Sequence, residues 1–193
     1  MLDESLTRIT EPTSEPITTD EGKKQAQVIA SDDDDFIDTL IATARELVEH
    51  DANRSLMPQA WRKRLHRFPC ERYIVLPKGP VTSLDTFSYV DPDDATQTVD
   101  AASYSLDTDR EPAVIFLKED YDWPDTANEP NAVTIEFSTG YADDASVPAR
   151  AKHAIKLLVG HWYRFRDEIG KVGEKVAVAY DALIDSLNPK KYP

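Results

Sequence analysis

The sequence predicts an α+β fold: a small helical bundle, made of N-terminal and C-terminal helices, carrying an inserted, mostly antiparallel β-module. Three observations predict it. Apolar residues recur at helical spacing near both ends of the chain. Between about residues 59 and 140 they fall instead into short runs rich in β-branched and aromatic residues, punctuated by Pro and Asp. These runs stand too close together to leave room for crossover helices, so their strands must pair largely antiparallel.

Residues 1–17 are polar, hold Pro12 and Pro16 and show no periodicity, which predicts a flexible arm. Thr18 and Glu21 have capping-box spacing and open a helix over 19–30. Its apolar face (Ala26, Val28, Ile29) is thin, and Gly22 weakens it. Ser31 and the run Asp32–Asp35 suit an N-cap and an acidic first turn better than a cation loop, because the glycine and alternating ligands of an EF-hand are missing. The helix that follows spans 33–50 and offers Phe36, Leu40 and Leu47 to the core.

In the β-module, Tyr73–Leu76, Leu84–Val90, Thr96–Val99, Ser103–Leu106, Ala113–Leu117 and the alternating stretch from Val133 to Ser138 read as strands. Residues 118–131, with Tyr121 and Trp123 among acids and Asn, read as a long loop. Pro148 sits at the first position of a helix over 148–169, whose core face holds Ile155, Leu158, Trp162 and Phe165. Gly170 and Gly173 end it. An amphipathic segment follows, carrying Val178, Tyr180, Leu183 and Leu187, and the chain closes on the basic stretch with Lys190, Lys191 and Tyr192. The expected organisation is an arm (1–17), a body (18–175, with the β-module at 59–140) and a C-terminal segment (176–193).

Composition limits the function. The 193 residues carry a formal net charge of −14, the wrong sign for a protein that grips nucleic acid through its phosphates. The lone Cys70 forms no internal disulfide, which suits a reducing compartment. No run approaches a membrane span, and the acidic start is not a signal peptide. His50, His66, His153 and His161 have no metal-ligand spacing, and no nucleophile, phosphate-loop or zinc motif is present. Asp93-Asp94 and Asp143-Asp144 sit in turn-forming contexts, which favours turn roles over a hydrolytic carboxylate pair. The expectation is therefore no catalytic residue, no metal and no cofactor.

One basic run interrupts the acidity: Arg62, Lys63, Arg64 and Arg67, with Arg72 beyond. Three readings compete: the solvated side of an edge strand, a surface that pairs with an acidic neighbouring subunit, or a DNA contact. The first two rank equal and the third below them.

Taken in order, the segments DDDDFIDTLIATARELVE, MPQAWRKRLHRFP, VLPKGPVTSLDTFSYVDPDD, ASYSLD, YDWP and VTIEFSTGYADDASVPARAKHAIKLLVGHWYRFRDEIG resemble the phage head–tail connector (adaptor) family of long-tailed phages, prophages and gene transfer agents. The resemblance covers about residues 19–187. It implies a structural, non-enzymatic subunit of a virion neck, assembled in the host cytoplasm into a ring, usually a dodecamer. Such a ring sits beneath the portal protein, extends the DNA channel without sequence-specific binding, and receives the next neck or tail-completion protein. By position, the portal-docking segment would be Val176–Pro193, with Val178, Tyr180, Leu183, Leu187, Lys190, Lys191 and Tyr192 as candidates. Removing it is expected to spare the fold. Arg62, Lys63, Arg64, Arg67 and Arg72 are the candidates for contact between subunits. The competing reading is a DNA-binding regulatory module built on residues 61–72.

Overall fold

The computed structural model describes residues 4–166 and 174–188, arranged in two compact units between which the chain passes at residues 11/12, 57/58 and 140/141. The β-unit holds residues 1–11 and 58–140; the helical unit holds the rest. This is the predicted α+β class.

The β-unit has two antiparallel sheets. The larger runs in the order β1 (Glu4–Thr10), β2 (Gln59–Leu65), β8 (Val133–Thr139), β4 (Val81–Val90) and β5 (Thr96–Thr98). The smaller runs β3 (Tyr73–Leu76), β7 (Ala113–Leu117) and β6 (Tyr104–Asp107). Alternation decides which side chains are inside. In β8, Val133, Ile135 and Phe137 are buried between the sheets with Ile74, Leu76 and Ile115, while Thr134 and Glu136 face outward. One end of this core is closed by Phe68, which stacks on Trp123 at 5.0 Å and meets Phe87 and Tyr89 edge-on. The loop 118–131 is thus anchored rather than loose. Arg72 reinforces it by donating to the carbonyls of Lys118, Glu119 and Tyr121 at 2.5–3.2 Å.

The arm differs from expectation. Residues 4–10 form β1, which pairs with Ala60–Leu65 of β2, from Glu4 opposite Leu65 to Thr10 opposite Ala60, with a bulge at Ile9. The sequence hides this because the apolar residues, Leu6 and Ile9, do not alternate. The reason for order lies in β2, whose backbone would otherwise be an open edge. For the same reason β2 is an interior strand and not an edge strand.

In the helical unit, Thr18 caps α1 (Thr19–Ala26) with the full capping box: its side chain accepts from Glu21 N at 3.2 Å, and Glu21 accepts from Thr18 N at 3.1 Å. Helix α1 stops at Gln27, which turns left-handed (φ 60°), four residues before its predicted end. Gly22 has a packing role: a Cβ there would stand 2.9 Å from Ile37 Cγ2 on α2 (Asp34–Asp51). Leu40 of α2 and Ile155, Leu158 and Trp162 of α3 (Ala149–Arg164) are buried as expected, with Phe36 and Leu47 packed at the margin. Phe165 is a correction. Helix α3 ends at Arg164, so Phe165 no longer follows Trp162 round to the core and stays 48% exposed against the His161 ring. Tyr163 and Arg166 fasten this end by donating to Asp33 Oδ2 at 2.5 and 2.9 Å. Gly170, Lys171 and Gly173 lie outside the described residues.

Two outcomes follow. Deleting residues 1–10 uncovers β2 and should lower stability by at least about 2 kcal/mol in urea unfolding, given about 1 kcal/mol per lost hydrogen bond; an unchanged midpoint would restore the flexible-arm reading. The second concerns acid. The Lys156 hydrogen bond (2.6 Å) and the Thr18 backbone hold the Glu21 carboxyl below its ordinary value of 4.5. Its folded pKa is depressed, so its contribution is present above 4.5 and fades as pH falls through the lower folded value. Lys156→Met should flatten that part of the stability–pH curve while leaving its shape near neutrality unchanged.

Candidate subunit-interaction surfaces

The five basic candidates do not form one patch, because adjacent strand residues point to opposite faces. Lys63 faces inward. Its ammonium donates to Val75 O on the smaller sheet at 3.1 Å and pairs with Glu4 of β1 at 2.8 Å. Arg62 faces outward and is bound to Glu136 on β8, with Nε and Nη2 at 2.7 and 2.6 Å. Arg64 also faces outward, in register with Ser5 and Thr134, and its buried Nε has no hydrogen-bond partner among the described residues. Arg67 is exposed in the turn after β2. Arg72 holds the 118–131 loop. Arg62, Arg64 and Arg67 lie on the β1–β2 side of the larger sheet, whereas Arg72, also exposed, is occupied by the loop carbonyls and by Asp122.

The opposite side of that sheet is acidic, which single-residue inspection missed. No Lys or Arg occurs between Gly79 and Asp109, whereas Asp85, Asp91, Asp93, Asp94 and Asp100 cluster around β4 and β5. Hydrogen bonds from the Ala95 backbone and the Gln97 side chain hold Asp91 below the usual carboxylate range, so it stays ionised. Asp85 accepts from Ser83 and Ser138 at 2.7 and 2.6 Å. Each side also has a hollow. A 340 Å³ groove lined by Leu65, Tyr73, Ile74 and Pro77 lies between β2 and β3. A 540 Å³ recess lined by Leu84, Phe87, Val99 and Tyr104 lies beside β4 and β5.

The Asp pairs suspected of chemistry serve turns. Asp94 closes the turn after β4 with φ 63°, and Asp143 accepts from Ser146 N at 2.7 Å. Among the described residues, no group of three or more His, Cys, Asp or Glu side chains could hold a metal ion, and no helix is long and apolar enough to cross a membrane.

The C-terminal candidates divide sharply. Helix α4 (Glu174–Asp185) and the turn after it bury Tyr180, Ile184 and Leu187 at 5% exposure each, with Leu183 packed against the same core. The Tyr180 hydroxyl donates to Asp51 at 2.9 Å; burial, then this bond, push its pKa up. Arg54 Nε donates to Leu187 O at 2.7 Å and Arg150 Nη1 to Ser186 O at 3.1 Å. Of the apolar candidates only Val178, 71% exposed, points outward, on a face shared with Asp181, Ala182 and Asp185. Lys190, Lys191 and Tyr192 lie outside the described residues. Ile29, assigned by the sequence to an apolar helix face, lies instead in the loop before α2 and is 98% exposed.

No family model and no curated protein matches the chain. Solved structures do. A chain of the virion of a native gene transfer agent (GTA) particle is 18% identical, with a TM-score of 0.78 over 97% of both chains. A chain from the neck of an empty GTA particle, computed with C6 symmetry, gives 0.77 at 18% identity over 98% of this chain and 97% of that one. A third, from the neck of a native GTA particle computed with C12 symmetry, gives 0.65 at 18% identity over 96% and 97%. At this identity the likeness establishes a shared fold across both units.

Truncation after Lys175 should therefore unfold or strongly destabilise the helical unit, contrary to the sequence expectation. Leu187→Ala should cost about 2–5 kcal/mol in chemical denaturation, whereas Val178→Ala should stay within about 0.5 kcal/mol. A fully stable truncated chain would show that α4 is dispensable.

Proposed function

We propose that this chain is a structural, non-enzymatic subunit of the neck of a phage-like particle: a head–tail connector whose copies form a ring under the portal. In this reading the ring extends the DNA channel and presents the surface on which the next neck or tail-completion protein assembles. The observation that carries it is the full-length likeness to chains of GTA virions and necks, which embraces both units and not a shared module alone. The C6 and C12 symmetries of those necks suit a ring of twelve. A formal charge of −14 supports it, since a net-negative subunit suits a channel along which DNA passes without adhering. For portal docking, the described part of the C-terminal segment offers Val178 and the exposed face of α4, and Lys190, Lys191 and Tyr192 remain candidates.

The DNA-binding alternative is weakened by the placement of its residues. Lys63 is spent inside the β-unit, Arg62 is neutralised by Glu136, and Arg72 binds backbone carbonyls.

Mass photometry and negative-stain microscopy of the protein, alone and mixed with the portal of the same particle, test the proposal. Rings, formed alone or on the portal, are expected. A strict monomer that never binds portal would refute it, and salt-dependent DNA binding lost in an Arg62/Arg64/Arg67 triple Ala variant would favour the alternative.

A further inference from the structure

We infer that neighbouring copies join edge to edge through the larger sheet, β1 of one copy against β5 of the next, so that the sheet continues from subunit to subunit. This rests on the ring reading and names its contact surface.

The two outer strands of that sheet are unlike, as a head-to-tail contact requires. Strand β1 is seven residues long, contains no proline, and turns only uncharged side chains outward: Ser5, Thr7 and, at a bulge, Ile9. Its charged residues face the other way, Glu4 to Lys63 and Arg8 over the Trp61 ring. The bulge at Ile9 and the inward Glu4 and Arg8 limit which strand can pair here, but between them Ser5–Thr7 leave a proline-free edge that can template another strand. At the far edge, β5 is exposed at all three residues and pairs with only Ser88–Val90 of the longer β4, so the recess beside Leu84 and Phe87 begins where β5 stops. That recess can take an apolar side chain of an incoming strand, and Ile9 is 38% exposed.

Charge selects the partner. A chain at −14 repels its own copies unless unlike patches meet. Register places Arg62 and Arg64 on β2 beside β1, with Arg67 just beyond; Glu136 pairs with Arg62 and Glu129 lies against His66, which leaves Arg64 and Arg67 as the cations this edge offers. The β4–β5 edge carries Asp85, Asp91, Asp93, Asp94 and Asp100 with no cation between Gly79 and Asp109. A second copy fits this pair of edges because one supplies what the other lacks.

Cross-linking tests it. Register lines up Ser5, Arg64, Thr134, Ser88 and Thr98 across the outer face, so Thr7 and Thr98 project from the same face at opposite edges. Four strand spacings, about 19 Å, separate β1 from β5 within one chain, too far for an internal disulfide. In a Cys70→Ser background, Thr7→Cys combined with Thr98→Cys should give, on mild oxidation, a ladder of covalent multimers, while each single variant stays monomeric. Dimers from Thr7→Cys alone would show a self-paired contact and overturn the proposal. As a second measure, Asp93→Lys/Asp94→Lys and Arg64→Glu/Arg67→Glu should each reduce ring yield at least tenfold. Mixing the two variants should restore rings, because alternating copies recover both kinds of contact. Wild-type rings together with unaffected variants and no ladder would overturn the edge contact and leave the ring reading standing. Wild-type protein that forms no ring even with portal would defeat the ring reading itself.

Discussion

A lysine inside a β-sandwich sets much of the order in the β-unit. Lys63 occupies an inward position of β2, opposite Ile135, where alternation would otherwise call for an apolar side chain. An ammonium at 10% side-chain exposure needs partners, since stranding it costs far more than a hydrogen bond returns. It finds the Val75 carbonyl across the sandwich and the Glu4 carboxylate on β1. One side chain thus ties β2 to the smaller sheet and recruits the N-terminal strand. That recruitment moves the edge of the sheet from β2 outward to β1 and decides which strand the outside world meets.

The helical unit depends on close approach and on a buried charge of its own. Gly22 lets α1 settle against Ile37 and Ile41, and Gly160 on α3 leaves room for Gln25. Arg45, 5% exposed, is satisfied by Glu15 and Glu49 at 2.8 and 3.0 Å. Glu49 also accepts from Leu56 N, so the end of α2 and the segment that leaves it are held by the same group. Helix α4 completes this core, which is why its apolar residues serve stability first and leave only a narrow exposed face around Val178.

Much of this was legible in the sequence where a single periodicity ruled. Strands Tyr73–Leu76 and Ala113–Leu117 and the helix containing Leu40 stand where their patterns place them. The misses share a physical cause: the deciding partner is remote in sequence. Nothing local marks residues 4–10 as a strand, because their order comes from β2 more than fifty residues away. Phe165 looks like core at helical spacing until the Asp33 clamp and the early end of α3 are known. The basic run was visible as charge, but only its strand register separates Lys63 from Arg62 and Arg64. Asp93 and Asp94 were read as turn residues, and they join Asp85, Asp91 and Asp100 in one acidic edge only because the pairing order places β5 outermost.

The described residues present a sheet with unlike edges, a helical unit with a small exposed face, and a net charge of −14 over the whole sequence. A cryo-EM map of the particle neck in which this chain is proposed to sit is the most direct test. A closed ring of copies beneath the portal is expected, with β1 of each copy lying beside β5 of its neighbour. A neck lacking this chain, or a ring whose copies meet only through their helices while the β1 and β5 edges remain free, would contradict it.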